Sequence, residues 1–134
     1  MRLRRIKMQV LGITLLLGAC ADVSQMDREQ AKAFEYLGIQ TQKLDETLVS
    51  FRVAMKGAQT EADIEAYGRC AAAQYALIRG AGFARHIKTQ VGKAGSTWRA
   101  EAVYVIDAAL PNGLATIDAE VVVRDCGTLG IPTV

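Results

Sequence analysis

Leu48-Val49-Ser50-Phe51-Arg52-Val53-Ala54-Met55-Lys56 is followed, after Gly57, by Thr60-Glu61-Ala62-Asp63. In the first stretch Val49, Phe51, Val53 and Met55 alternate with Ser50, Arg52 and Lys56, the period-two signature of a half-buried strand. Gly57 ends it. Thr60 with Asp63 three positions later has the spacing of a capping box, in which side chains satisfy the free N–H groups of a first helical turn. A strand handing over to a helix, with one apolar face on each, decides the fold class, because each face needs the other to be buried.

Outward from that junction, the helix is expected from about Glu61 to Ala81, stopped by Gly80 and Gly82, the residue type that takes the left-handed turn after a helix. Ile64, Gly68, Ala71, Tyr75 and Ile78 recur at three- and four-residue spacing and should face the sheet. A second strip, Ala66, Cys70, Ala73 and Leu77, is too apolar to be plainly solvated; a bond between Cys70 and Cys126 would bring the tail with Leu129, Ile131 and Pro132 over it, the alternative cover being a partner protein. Phe83 to Val91 reads as a second strand, closed by the turn Gly92-Lys93-Ala94-Gly95. Trp98 to Ile106 alternates most clearly of all. Leu110-Pro111-Asn112-Gly113 carries an Asn-Gly hairpin tip, and Ala115 to Arg124 then reads as a returning strand that pairs Tyr104 with Val121 and Glu101 with Arg124. The expected order is strand, helix, strand, strand, strand, an α+β domain with one helix packed on a small, mostly antiparallel sheet.

The front of the chain reads differently. Arg2, Arg4, Arg5 and Lys7 precede an apolar run from Met8 to Ala21, the basic and hydrophobic regions of an export signal. The run is too short to span a bilayer as a helix, since about twenty residues are needed for a core of about 30 Å. Residues 1–19 are therefore taken as a signal peptide. Ala21 to Glu46 is polar, with a weakly helical patch at Asp27 to Leu37, and residues 20–46 are taken as a tether, leaving 47–134 as the folded domain. Without the four signal residues, twelve basic side chains face fourteen acidic ones, a net charge of −2. No basic cluster remains of the kind that marks a nucleic-acid binder.

Leu17-Gly18-Ala19-Cys20 resembles the bacterial lipobox. The resemblance implies that the Cys20 thiol receives a diacylglyceryl group, that cleavage leaves Cys20 as the first residue, and that fatty acyl chains such as palmitate hold the protein on a membrane facing the periplasm. An Asp directly after the cysteine is associated in such lipoproteins with inner-membrane retention; Ala21 stands there, so the outer membrane is favoured. Ala19-Cys20-Ala21 also fits an ordinary signal-peptidase site. From Phe51 to Pro132, including Ala71-Ala72-Ala73-Gln74-Tyr75 and Phe83-Ala84-Arg85-His86, the chain is similar to small proteobacterial envelope lipoproteins, which implies a location and names no activity.

With Cys20 lipidated, Cys70 and Cys126 remain for a disulfide in an oxidising compartment. No metal site is expected, as there is no Cys-x-x-Cys and His86 is the only histidine. Arg79-Gly80-Ala81-Gly82 follows a helix instead of opening one, the wrong end of the dipole for a phosphate. Gly92-Lys93-Ala94-Gly95-Ser96-Thr97 lacks the Ser or Thr that follows the lysine in a P-loop. Glu101, Asp118, Glu120 and His86 are the residues an acid/base group would draw on, with Arg99 and Arg124 expected as their ion-pair partners. Ser24, Ser50 and Ser96 have no nucleophile-elbow context. The sequence thus points away from an enzyme and from any cofactor. It points to a lipid-anchored protein meeting another envelope component, or, as the alternative, a small-ligand binder with a groove between helix and sheet.

Overall fold

The computed structural model describes residues 33–108, 113 and 115–134. Signal peptide, lipobox and Cys20 lie outside them, as does most of the Leu110–Gly113 turn. Five strands and two helices follow one another as β1 (Glu35–Lys43), β2 (Leu48–Lys56), α1 (Glu61–Ile78), β3 (Phe83–Ala94), β4 (Thr97–Ile106), β5 (Thr116–Asp118) and α2 (Ala119–Leu129). The sheet order is β1-β2-β4-β3-β5, antiparallel at every contact. β4 lies between β2 and β3, which are parallel to each other and joined by α1, so the expected crossover is split by the strand that follows it.

The junction is built as its residues dictate. Asp63 accepts the N–H groups of Gln59 and Thr60 at 2.8 and 3.1 Å, closing the N-terminus of α1. At the other end Gly80 takes φ +75°, and the Gly80 and Ala81 N–H groups return to Leu77 and Ala76, the paired bonds that satisfy the last carbonyls of a helix. Val49, Phe51, Val53 and Met55 are all buried under α1. Against them lie Ile64, Tyr67, Ala71, Ala72 and Ala76, with Ala102, Tyr104 and Ile106 of β4. Burying Phe51 alone contributes about 2 to 3 kcal/mol. Gly68 sets the spacing: a Cβ added there would stand 3.0 Å from the Ala102 Cβ. The buried arc is rotated from the expected one, with Tyr67 and Cys70 inside and Ile78 62% exposed.

Two expectations are corrected. Residues 35–43, read as tether, form an edge strand paired along its length with β2; its polar residues face water, so burial leaves little alternation to read. Ala115–Arg124 is not a hairpin strand. Only Thr116–Asp118 pairs, and with β3, while the chain from Ala119 is helical because the Asp118 carboxylate caps it by accepting the Val121 N–H at 3.1 Å and Gly130 ends it at φ +70°. Tyr104 and Val121, and Glu101 and Arg124, are therefore not paired; β4 is taken up on both sides by β2 and β3. The apolar strip on α1 is covered by α2 more than by the final residues: Ala73, Cys70 and Cys126 are buried, and Cys70 and Cys126, 56 positions apart, form a disulfide with Cα atoms 6.0 Å apart.

Candidate functional site

With both helices on one side, the other face of the sheet is left open. Register assigns that face directly, since residues opposite one another share it. Gln40, Arg52, Glu101 and Gln90 form one row across β1, β2, β4 and β3, and Gly38, Ala54, Arg99 and Gly92 form the next. The second row has almost no side-chain bulk except Arg99, and a Cβ built on Gly38 or Gly92 would meet nothing within 4 Å. The result is a groove of about 760 Å³ across the strands. At the β1 end Leu37, the extra residue of a bulge, is 45% exposed and lines it.

Ser50, fully buried on this face, donates to Glu101 Oε1 at 2.7 Å, and Arg52 Nε stands 3.9 Å from the same oxygen. Glu101 is thus held by a hydroxyl and a guanidinium in the neighbouring strand. Arg99 has no ion-pair partner among the described residues. Across the face Arg52, Lys56, Arg85, Lys88 and Arg99 stand against Glu35 and Glu101, a net charge of +3, whereas the sequence from Cys20 onward sums to −2. Sequence order hides this segregation, because the five cations come from three strands separated by a helix.

A second, smaller hollow of about 350 Å³ lies between α1 and the β3 side of the sheet, where Glu65 and Arg69 face His86, Thr89 and Tyr104. His86 Nε2 and Thr89 Oγ1 are 2.8 Å apart, and the His86 and Tyr104 rings are 5.1 Å apart. Burial raises the Tyr104 phenol to about 12, with the Arg69 guanidinium opposing and the Glu65 carboxylate adding to the shift. The phenol therefore stays protonated and is available as a donor at neutral pH.

The residues of the acid/base group are not brought together. Glu101 belongs to the open face, His86 to the helix-covered face, Asp118 caps α2 and Glu120 is exposed on it. Among the described residues Arg99 forms an ion pair with none of these four, and Arg124 lies on α2. The first glycine-rich stretch is, as read, a helix end; in the second, Gly92, Lys93 and Ala94 continue β3 past its expected end, and the turn to β4 falls at Gly95 and Ser96, with Gly95 at φ +60°. Among the described residues no cluster of three or more His, Cys, Asp or Glu is placed to hold a metal, and no helix is long and apolar enough to cross a membrane.

Residues 36–130 match the family described as YNQ4 C-terminal domain. The chain is also 29% identical over 87 residues to a Paracoccus denitrificans protein described as "Uncharacterized 26.9 kDa protein in nqo8 5'region", an alignment that takes in 65% of this chain and 34% of that one. The chain thus spans about a third of that relative's length. No solved structure matches. The family match begins at Tyr36, one residue into β1, and ends at Gly130, the cap of α2, so it takes in all five strands and both helices but for Glu35: the chain belongs to the YNQ4 C-terminal domain family.

Proposed function

We propose that this chain is a non-enzymatic envelope lipoprotein, anchored by acyl chains on Cys20 to a membrane facing the periplasm, the outer membrane being favoured, and that its domain meets an envelope partner through the open face of the sheet. The observation that carries the second half is the charge segregation: a net +3 face, grooved and free of helix, in a domain from a chain that is otherwise acidic. Two or more acyl chains exceed the marginal hold of one, and the disulfide fits an oxidising compartment.

The test is site-specific photocrosslinking in intact cells. A photoreactive residue at Gln90, in the groove, should give one discrete adduct of defined mass with an envelope protein, and one at Glu61, on the helix side, should give none. An adduct at Glu61 alone would place the contact elsewhere. The hollow beside His86 and Tyr104 favours the second reading, a small-ligand binder, and that reading requires a Tyr104→Phe variant to lose the ligand while a Gln90 variant keeps it.

A further inference from the structure

We propose that the groove on the open face takes an extended acidic peptide segment of a partner protein, with a carboxylate seated on Arg99. The proposal rests on the reading that the open face is the contact surface, and it names what that surface recognises. Arg99 is the cation in the groove left unpaired, because Arg52 is turned to Glu101, and its own row, Gly38, Ala54 and Gly92, leaves room for a chain to approach the guanidinium. A planar guanidinium pairs a carboxylate through two parallel N–H bonds. The adjoining row supplies what a peptide backbone needs: Gln40 and Gln90 offer amides that both donate and accept, and Glu101, fixed by Ser50, accepts from N–H groups.

The dimensions agree. From β1 to β3 the row crosses three strand spacings, roughly 14 Å at about 4.8 Å each, which an extended peptide covers with about four residues at about 3.3 Å. No aromatic ring is among the groove's lining residues, so a sugar has no platform to stack on, and a flat lipid surface does not enter a trough.

Calorimetric titration of the full chain in neutral detergent tests this with five probes: a blocked octapeptide with four central glutamates, its glutamine and lysine counterparts, an oligogalacturonate, and phosphatidylglycerol carried in micelles of the same detergent. The glutamate peptide should bind at low salt, at least ten-fold more tightly than the glutamine peptide, and weaken as salt is added. Arg99→Gln should lose about ten-fold, and Lys93→Gln, on the helix-covered side over Trp98, nothing. Arg99→Glu should reject the glutamate peptide and accept a lysine one, an exchange of preference that an unfolded variant does not give. Equal binding of the glutamate and glutamine peptides overturns the proposal. Preference for the oligogalacturonate or the phosphatidylglycerol, abolished by Arg99→Gln, overturns the peptide but keeps the face as the contact surface. Binding of the glutamate peptide, the oligogalacturonate or the phosphatidylglycerol that Arg99→Gln leaves unchanged overturns both.

Discussion

Ser50, with no exposed surface, donates a 2.7 Å hydrogen bond to Glu101 on the side of the sheet that neither helix covers. The two are not register partners: Ser50 faces Val103, and Glu101 faces Arg52. The bond therefore runs diagonally and tilts the carboxylate over the buried hydroxyl, leaving Arg99, two residues along β4, without it. Ser50→Ala should cost about 1.5 kcal/mol, the low end of the range for a hydrogen bond to a charged group, because the carboxylate can rehydrate. Urea denaturation measures it as a lower midpoint at unchanged slope.

The Cys70–Cys126 disulfide ties α2 to α1 across a separation of 56 positions. In the chain-entropy model a loop of that length contributes about 4 kcal/mol, a large part of a small domain's margin. Cys70→Ser with Cys126→Ser, or reductant on the wild type, should lower the melting temperature by more than 10 °C, with α2 losing hydrogen-exchange protection before the sheet does.

Two glycines should respond in different ways. Gly57, at φ +84°, has its Cβ direction closed by the Ala33 carbonyl, so Gly57→Ala meets both backbone strain and a clash and should destabilise by 2 kcal/mol or more, by roughly the sum of the two effects. At Gly68 the backbone is helical and the obstacle is the Ala102 Cβ. There the gain of about 1 kcal/mol in helix propensity for Ala offsets the contact, while Gly68→Val, with two more methyl groups against β4, should lose roughly 2 to 3 kcal/mol. Thermal melts of the three variants give the order directly.

Part of this fold is legible in the sequence alone. Phe51 and its alternating neighbours, the Thr60–Asp63 start and the Gly80 stop concern local geometry, and local geometry is what a sequence states most directly. β1 leaves no mark in the sequence because an edge strand with mostly exposed side chains has no apolar period to show; only Tyr36 and Ile39 turn inward to the core. The α2 stretch supports two readings, because Ile117, Ala119, Val121 and Val123 alternate as a strand does, while Ala119, Val122, Val123 and Cys126 are also spaced for a helix face. Tertiary packing against α1 and the Asp118 cap decide for the helix over β-branched propensity. The open-face groove was not legible at all, since Gln40, Arg52, Gln90 and Arg99 meet only once the strand order β1-β2-β4-β3 is known.

Alkaline titration reads the helix side. The Tyr104 pKa is raised to about 12 in the folded chain, above the ordinary value of about 10, so the folded state holds that proton more tightly than the unfolded one. Its contribution is intact below about pH 10 and is lost as pH rises toward 12, by up to roughly 2 to 3 kcal/mol. Tyr104→Phe should flatten that part of the stability profile, as followed by urea midpoints between pH 9 and pH 12, at roughly half-unit intervals.

The anchor at Cys20 is the claim from which location and partner class both follow. Intact-mass analysis of the protein extracted by detergent from native membranes addresses it directly. The account predicts a chain that begins at Cys20 and carries a diacylglyceryl thioether and an acylated amino group; a chain that begins at any other residue, or one with an unmodified Cys20 thiol, would contradict it.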